Sequence, residues 1–399
     1  MSDTNDLQDN VDITNLLWLL RKMPMENISG ILNTSFPTPR DVTPHSTAHA
    51  LNIAAPIAMT IDRIVTPVWY AISAIGNPIT MKIWLSKRMR ETNSSAIYIG
   101  AIAVVHYVFI WLHLLLELHL AWDIKTVNYP YVCEVFNVLY ITPQYLAPLL
   151  ILGFTTERYI AVCLPFKKET YCTVRRACIL VLMLTVLSLV LGSVQAYIWT
   201  YNFERDLCFF RSGARPFYVV WTWISEMLIF AVVPLVVLMF NILVIREIRL
   251  LTRRASLRMH SDSCMLGASN KTSTVTLLAV SFYLICTLLP ATIVYTMQSV
   301  IRAGDPSIRV EDWTSDPQWQ LYLSYFTVRK IVEEICFSNY ACYIFIYYIT
   351  GSYFRKEVHK LLRCRKEPSR QSGASRSSRG QEQYTLVTTN GKHELTEPL

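Results

Sequence analysis

Seven stretches of low charge and high apolar content divide the middle of this 399-residue chain: Ile64 to Leu85, Ala96 to Leu118, Val132 to Leu164, Ala177 to Trp199, Phe217 to Ile245, Thr274 to Val300 and Leu321 to Thr350. A helix rises about 1.5 Å per residue, so about 20 apolar residues cover the roughly 30 Å of a bilayer's hydrocarbon layer. Backbone polar groups must be satisfied within each segment there, so runs of this kind fold as helices. The composition agrees, with 52% hydrophobic residues, 17% charged residues and only 12 glycines. The expected fold class is an all-α membrane protein, a seven-transmembrane helix bundle with a short amphipathic helix after the last span. The first and last runs are the least clean. Asp62 and Arg63 lie just before the first, and Arg329, Lys330, Glu333 and Glu334 fall inside the last.

Lysine and arginine set the expected orientation. They gather after the first run (Lys87, Arg88, Arg90), the third (Lys167, Lys168, Arg175, Arg176) and the fifth (Arg246, Arg249, Arg253, Arg254, Arg258), and again after the seventh. The opposite loops are poorer, apart from Arg205, Arg211 and Arg215. The basic connections therefore read as cytosolic and the N-terminus as extracellular. The net charge of +8 is then a topology signal rather than a nucleic-acid footprint. The chain opens on acidic residues with only a short apolar patch, Leu16 to Leu20, so the first span is expected to serve as its own membrane signal.

The organisation expected is an extracellular tail over residues 1–55, the bundle over 56–350, an amphipathic membrane-surface helix over 351–364 and a disordered cytoplasmic tail over 365–399. Phe354, Val358, Leu361 and Leu362 share one face of that surface helix, with basic residues elsewhere, a pattern suited to an anionic leaflet. Asn27 and Asn33 are glycosylation acceptors on the outer side, whereas the Asn93-Ser94-Ser95 and Asn270-Lys271-Thr272 sequons fall inside and should stay bare. Cys364 follows the amphipathic stretch, either as a palmitoylation site or as a free thiol. Serines near arginines in the tail, such as Ser369 and Ser372, read either as kinase sites or as part of a solvated tail.

One run carries more than length. Cys133 opens Val132 to Leu164 and Glu157-Arg158-Tyr159 closes it, about 37 Å away along a helix. A charge at that depth is costly and usually functional. With Gly76-Asn77 in the first run, Pro165 after the third, Pro234 in the fifth, Pro290 in the sixth and Tyr347 ahead of Phe354-Arg355, this order and spacing resembles the class A (rhodopsin-like) G-protein-coupled receptors over roughly residues 71–363. The stretch Thr142 to Pro148 and the Glu-Arg-Tyr region resemble invertebrate neuropeptide receptors of the FMRFamide-receptor and thyrotropin-releasing-hormone-receptor sort. The resemblance implies a G-protein interface at Glu157, Arg158 and Tyr159, with Glu157 restraining Arg158 at rest. It implies a heterotrimeric G protein as partner, with arrestin, receptor kinases and membrane lipids beside it. Cys133 and Cys208 are the two cysteines of the ten that are expected outside and near the membrane, and a bond between them would tie the second outer loop over the third helix.

The departures from the family pattern fall together. His106 stands where the family carries a sodium-binding Asp, and an imidazole does not replace a hard carboxylate. The seventh run reads Tyr343-Ile344-Phe345-Ile346-Tyr347 without the family's Asn and Pro, and the sixth reads Thr287-Leu288-Leu289-Pro290 without its Trp. Ile242 replaces a fifth-helix Tyr, and the fourth run lacks its central Trp. By family alignment the ligand pocket includes Glu117, Tyr140, Gln144, Glu226 and Glu333. Tyr140 takes the place of the aminergic Asp. Three carboxylates in an apolar, aromatic cavity suit a cationic peptide group such as arginine, and a short amidated peptide ending in Arg-Phe is the expected ligand. Alternatively, these carboxylates pair with Arg329, Lys330 or each other.

Other classes remain to be weighed. His106, His113 and Glu117 lie nearly on one helical face with His119 close, which is the sequence case for an intramembrane metal hydrolase. No second His-rich span exists, so the chain is read as a non-enzyme without a cofactor or metal. A transporter predicts inverted repeats, and none is visible. A non-coupling seven-span receptor is the third alternative, and the missing switch residues favour it.

Overall fold

The computed structural model describes residues 53–120, 122, 124–203, 206–258, 268–297, 301, 303–305 and 307–363. Asn27, Asn33, Cys364, the tail from 365 onward and most of 1–55 lie outside these. Seven long helical elements form the bundle. They are α1 (Pro56–Trp84), α2 (Ser94–Leu120), α3 (Val132–Cys163), α4 (Val174–Ser193), α5 in three consecutive parts (Arg215–Glu226, a π-helical turn Met227–Val232, and Val233–Arg258), α6 (Ala268–Met297), and α7 in two parts (Pro317–Ser338 and Tyr343–Thr350). A further helix, α8 (Ser352–Leu362), follows and buries Phe354 and Val358. The end bearing Cys133 is called outer below, and the end bearing Arg158 inner.

Local chemistry sets the boundaries. Prolines stand in the first turns of α1 and α7, where a missing N–H costs nothing. Asp316 caps α7 by accepting from Trp319 N at 2.8 Å, and Thr173 caps α4 by accepting from Arg176 N at 3.4 Å. Among the described helices, α2, α3, α4, α5 and α6 are long and apolar enough to cross a membrane. The other two, α1 and α7, carry the charges that blurred the first and last apolar runs. Those charges answer one another across the bundle, with Lys330 Nζ 3.1 Å from Asp62 Oδ1. The structure therefore begins α1 at Pro56, which takes Asp62 into the helix and buries it, where the sequence placed it just outside.

The central core joins Ile102 of α2, Leu146, Leu150 and Phe154 of α3, Val237 of α5, Leu277 and Leu284 of α6, and Tyr343 and Tyr347 of α7. Close approach between α1 and α7 needs Gly76, where an added Cβ would lie 2.9 Å from Ile344 Cγ2. On the outer rim of the bundle α4 leaves Leu182, Met183, Val186 and Val190 exposed, as a lipid-facing helix does.

The second outer loop holds a hairpin that the apolar pattern did not show. Strand β1 (Trp199–Asn202) pairs antiparallel with β2 (Leu207–Phe210), and Tyr201 sits opposite Cys208. Cys208 is bonded to Cys133 at the start of α3, with the Cα atoms 5.5 Å apart. Glu134 accepts from Thr200 Oγ1 at 3.1 Å and from Tyr201 N at 3.2 Å, and Asn128 Oδ1 accepts from Cys208 N at 3.1 Å. At the tip, Asp206 binds Lys125 and the Tyr201 hydroxyl. The Lys125 and Tyr201 contacts hold the Asp206 carboxyl below the usual aspartate range.

Candidate ligand cavity and inner face

Below the hairpin lies a cavity of about 360 Å³ walled by α2, α3, α5, α6 and α7. Its size is in the range of small-ligand sites. All five residues expected from the sequence, Glu117, Tyr140, Gln144, Glu226 and Glu333, line it. The helical period explains part of this: Tyr140 and Gln144 are one turn apart on α3, and the Gln144 side-chain amide donates to Tyr140 O at 3.0 Å. Tyr140 belongs to an aromatic wall, stacked on Phe136 at 5.7 Å and tilted against Phe109 at 5.5 Å.

The carboxylates are not equivalent. Glu333 accepts from Arg329 Nε at 2.7 Å and from the Tyr295 hydroxyl at 3.1 Å, and Lys330 Nζ lies 3.4 Å away. Arg329 also lies over the Tyr295 ring, 5.2 Å from its centroid. So the α7 spacings i, i+3 and i, i+4 join the two cations to Glu333, the pairing weighed above as the alternative to a ligand contact. Glu334 is turned toward α1, where it accepts from Thr66 Oγ1 at 2.5 Å and Trp69 Nε1 at 2.9 Å. Glu226 makes no hydrogen bond or ion pair with any of the described residues, and it stands on the α5 wall of the cavity. Glu117 on α2 is buried against the Asp62 carboxyl, and its Oε1 has no partner among the described residues.

Sequence reasoning missed Tyr295, His113, Phe230 and Leu288 as cavity residues. Leu288 had been noted only as a missing tryptophan. The histidines of α2 turn to separate partners. His113 Nδ1 is 2.8 Å from the Tyr70 hydroxyl, His119 Nε2 is 2.8 Å from Asn128 Nδ2, and the His106 ring packs edge-on to Tyr340 and Tyr343 at 5.0 and 4.9 Å. No group of three His, Cys, Asp or Glu side chains among the described residues is arranged to hold a metal ion.

At the inner end of α3 the geometry departs from the expectation. The Glu157 carboxylate accepts from Ser94 Oγ at 2.5 Å and Ser95 Oγ at 3.4 Å, at the start of α2. Arg158 forms no ion pair with it among the described residues. The guanidinium instead lies over the Phe154 ring, 5.6 Å from its centroid. Neighbours in a helix point about 100° apart, so Glu157 faces α2 while Arg158 faces away from it. The two serines, noted in the sequence only as part of a bare sequon, were the signal for this contact. Tyr159 stacks on Phe240 of α5 at 5.1 Å. Hydroxyl contacts tie α6 to its neighbours, among them Thr155 to Ser281 at 3.5 Å, Thr350 to Thr276 at 2.9 Å and Tyr283 to Ser338 at 2.6 Å.

Residues 76–332 match the sequence family described as 7 transmembrane receptor (rhodopsin family). The chain belongs to that family. It is therefore a multi-pass membrane protein with a receptor's signalling function, and its family binds an extracellular ligand and a G protein. Members are signalling receptors rather than enzymes, which removes the hydrolase alternative. No curated protein matches the receptor closely enough to count as a relative.

Proposed function

We propose that this receptor sits in the plasma membrane with its N-terminus outside, binds a cationic extracellular peptide in the cavity, and couples that event to a heterotrimeric G protein through Arg158. A short amidated neuropeptide ending in Arg-Phe is the ligand that the cavity's chemistry favours. The observation that carries the reading is Glu226, a cavity carboxylate that makes no hydrogen bond or ion pair among the described residues and shares a largely apolar and aromatic cavity with Arg329, which is itself bonded to Glu333. A guanidinium gives such a carboxylate a bidentate, charge-assisted partner, and the aromatic wall of Phe109, Tyr140, Phe337 and Tyr340 suits a phenylalanine ring. Glu333 contributes less than its position suggests, because Arg329 and Lys330 already neutralise it.

Ligand binding acts by preferring one bundle arrangement over another. Arg158 has no ion pair among the described residues and feels Glu157 only at a distance, so on this reading its availability depends on how the neighbouring helices pack around it. The test is a calcium and cAMP response in cells expressing the full chain, challenged with a library of amidated peptides. One peptide family should give a saturable response. Arg158→Ala should abolish it at unchanged surface expression. A response of wild-type size from Arg158→Ala overturns the coupling route.

A further inference from the structure

Four carboxyl groups and two cations meet where α1, α2 and α7 close the cavity: Asp62, Glu117, Glu333 and Glu334 against Arg329 and Lys330. The cations are committed to Glu333 and Asp62, and Glu334 is held by a hydroxyl and an indole N–H. Glu117 is left over. It is only 5% exposed, lines the cavity, and keeps Oε1 buried without a hydrogen-bond partner among the described residues. Its neighbour across the α1–α2 contact is another carboxyl, Asp62. The contacts of Glu117 are a side-chain hydrogen bond with that carboxyl and the field of Lys330, a cation already bonded to Asp62 and Glu333; Oε1 still lacks a donor among the described residues, and the open side of its surroundings is the cavity. Glu226, on the α5 wall, makes no hydrogen bond or ion pair among the described residues, with Arg329 acting on it only from a distance.

We propose that Glu117 anchors a second cationic group of the ligand, so that the peptide presents one positive charge to Glu226 on α5 and another to Glu117 on α2. This rests on the cationic-peptide reading above and sharpens it: the receptor selects for two charges held apart across an aromatic floor, not for one. A third cation brings the count at the α1–α2–α7 wall to four carboxyls and three positive charges and supplies the donor that Glu117 Oε1 lacks.

The test uses the full-length receptor in detergent and reads thermal unfolding as a function of probe concentration. The probes are Arg-Phe-amide with a free α-amino group, which carries two positive charges, and two forms that carry one, N-acetyl-Arg-Phe-amide and citrullyl-Phe-amide. The two-charge probe should half-saturate at about ten- to a hundredfold lower concentration than either one-charge probe, the range of one charge-assisted hydrogen bond. Glu117→Gln should bring one of these ratios close to one and Glu226→Gln the other, while Glu117→Asp keeps both above one. Equal half-saturation by all three probes on the unaltered receptor overturns the second anchor without any variant. Ratios unchanged in Glu117→Gln overturn it too, and leave the cationic-peptide reading standing. No saturable shift with any probe overturns that reading and the anchor with it.

Discussion

The outer and inner halves of the bundle differ in which buried polar groups they leave bare. In the outer half Glu117 Oε1, Glu134 Oε2 and Trp221 Nε1 have no hydrogen-bond partner among the described residues, but most charged groups find partners across long sequence distances, Lys330 with Asp62 and Glu334 with Thr66 and Trp69, as the polar pair Tyr70 and His113 also does. Toward the middle and inner half several polar groups do not. Both ring nitrogens of His106, both side-chain polar atoms of Asn241, the Tyr347 hydroxyl and Arg158 Nε are buried with no hydrogen-bond partner among the described residues. An unpaired buried polar group costs about 1–3 kcal/mol. The outer half is thus an electrostatic frame whose charges are largely neutralised, leaving Glu117 and Glu226 incomplete. The inner half holds polar groups on α2, α3, α5 and α7 that gain by repacking. On the function proposed above, the frame would supply ligand selectivity, and the unpaired groups would gain from a second bundle arrangement.

The largest effect should come from breaking the frame. Lys330→Met leaves Asp62 and part of Glu333 uncompensated and should destabilise the receptor by about 3–5 kcal/mol, seen as lost surface expression and a lower melting temperature. Adding Asp62→Asn should restore much of that stability. Additive losses in the double variant would show that Asp62 and Lys330 do not depend on each other. Cys133→Ala comes next. It frees the hairpin from α3, should cost about 2–4 kcal/mol, and should remove the ligand response. A normal dose–response curve would mean that Glu134 and Asn128 hold the hairpin unaided.

On the inner side the sign reverses. Asn241→Leu removes an unsatisfied amide at nearly constant volume and should raise stability by about 1 kcal/mol, measured as an increased melting temperature. A drop instead would show that the Asn241 amide is hydrogen-bonded in the folded receptor. The smallest effect belongs to the hairpin tip. Asp206 has its carboxyl lowered below the ordinary 3.8 by Lys125 and Tyr201. A lowered folded-state value means that its contribution is complete above the unfolded pKa and is lost as pH falls through the folded one. Hairpin protection, read by hydrogen exchange, should therefore be flat from neutral pH down to about 4 and decline only below that. A change between pH 5 and 7 would place the titrating group elsewhere.

Much of the bundle was legible in the sequence because hydropathy acts locally. The runs for α2 to α6 can be read window by window, and a long α3 with a thiol at one end and a charged pair at the other is plain in the sequence alone. What stayed hidden depends on partners far along the chain. Asp62 reads as a flanking charge until Lys330, 268 residues later, brings it inside. Glu157 and Arg158 look like a pair because they are adjacent, yet adjacency on a helix separates their directions, and the serines that take Glu157 lie about 60 positions away. The cavity residues on α2, α3, α5 and α7 could be listed from the resemblance, but not which of their carboxylates were already neutralised. The hairpin left no hydropathy signal, since its strands are four residues each and half-buried.

The π-helical turn at Met227–Val232 has a consequence for how such a receptor changes over evolutionary time. Each residue gained or lost in a helix rotates everything beyond it by about 100°, and a π turn is the place where one such residue is already absorbed. Glu226 lies immediately before that turn, and Asn241 and Phe240 lie after it. The stretch of α5 that lines the cavity and the stretch that packs on α3 near Arg158 are consequently joined through a turn that can absorb a change of length. Trimming the turn by one residue would close it to regular α-helix and leave both Glu226 and the inner packing near their present register, so this helix can gain or lose a residue here without passing the change from one end to the other.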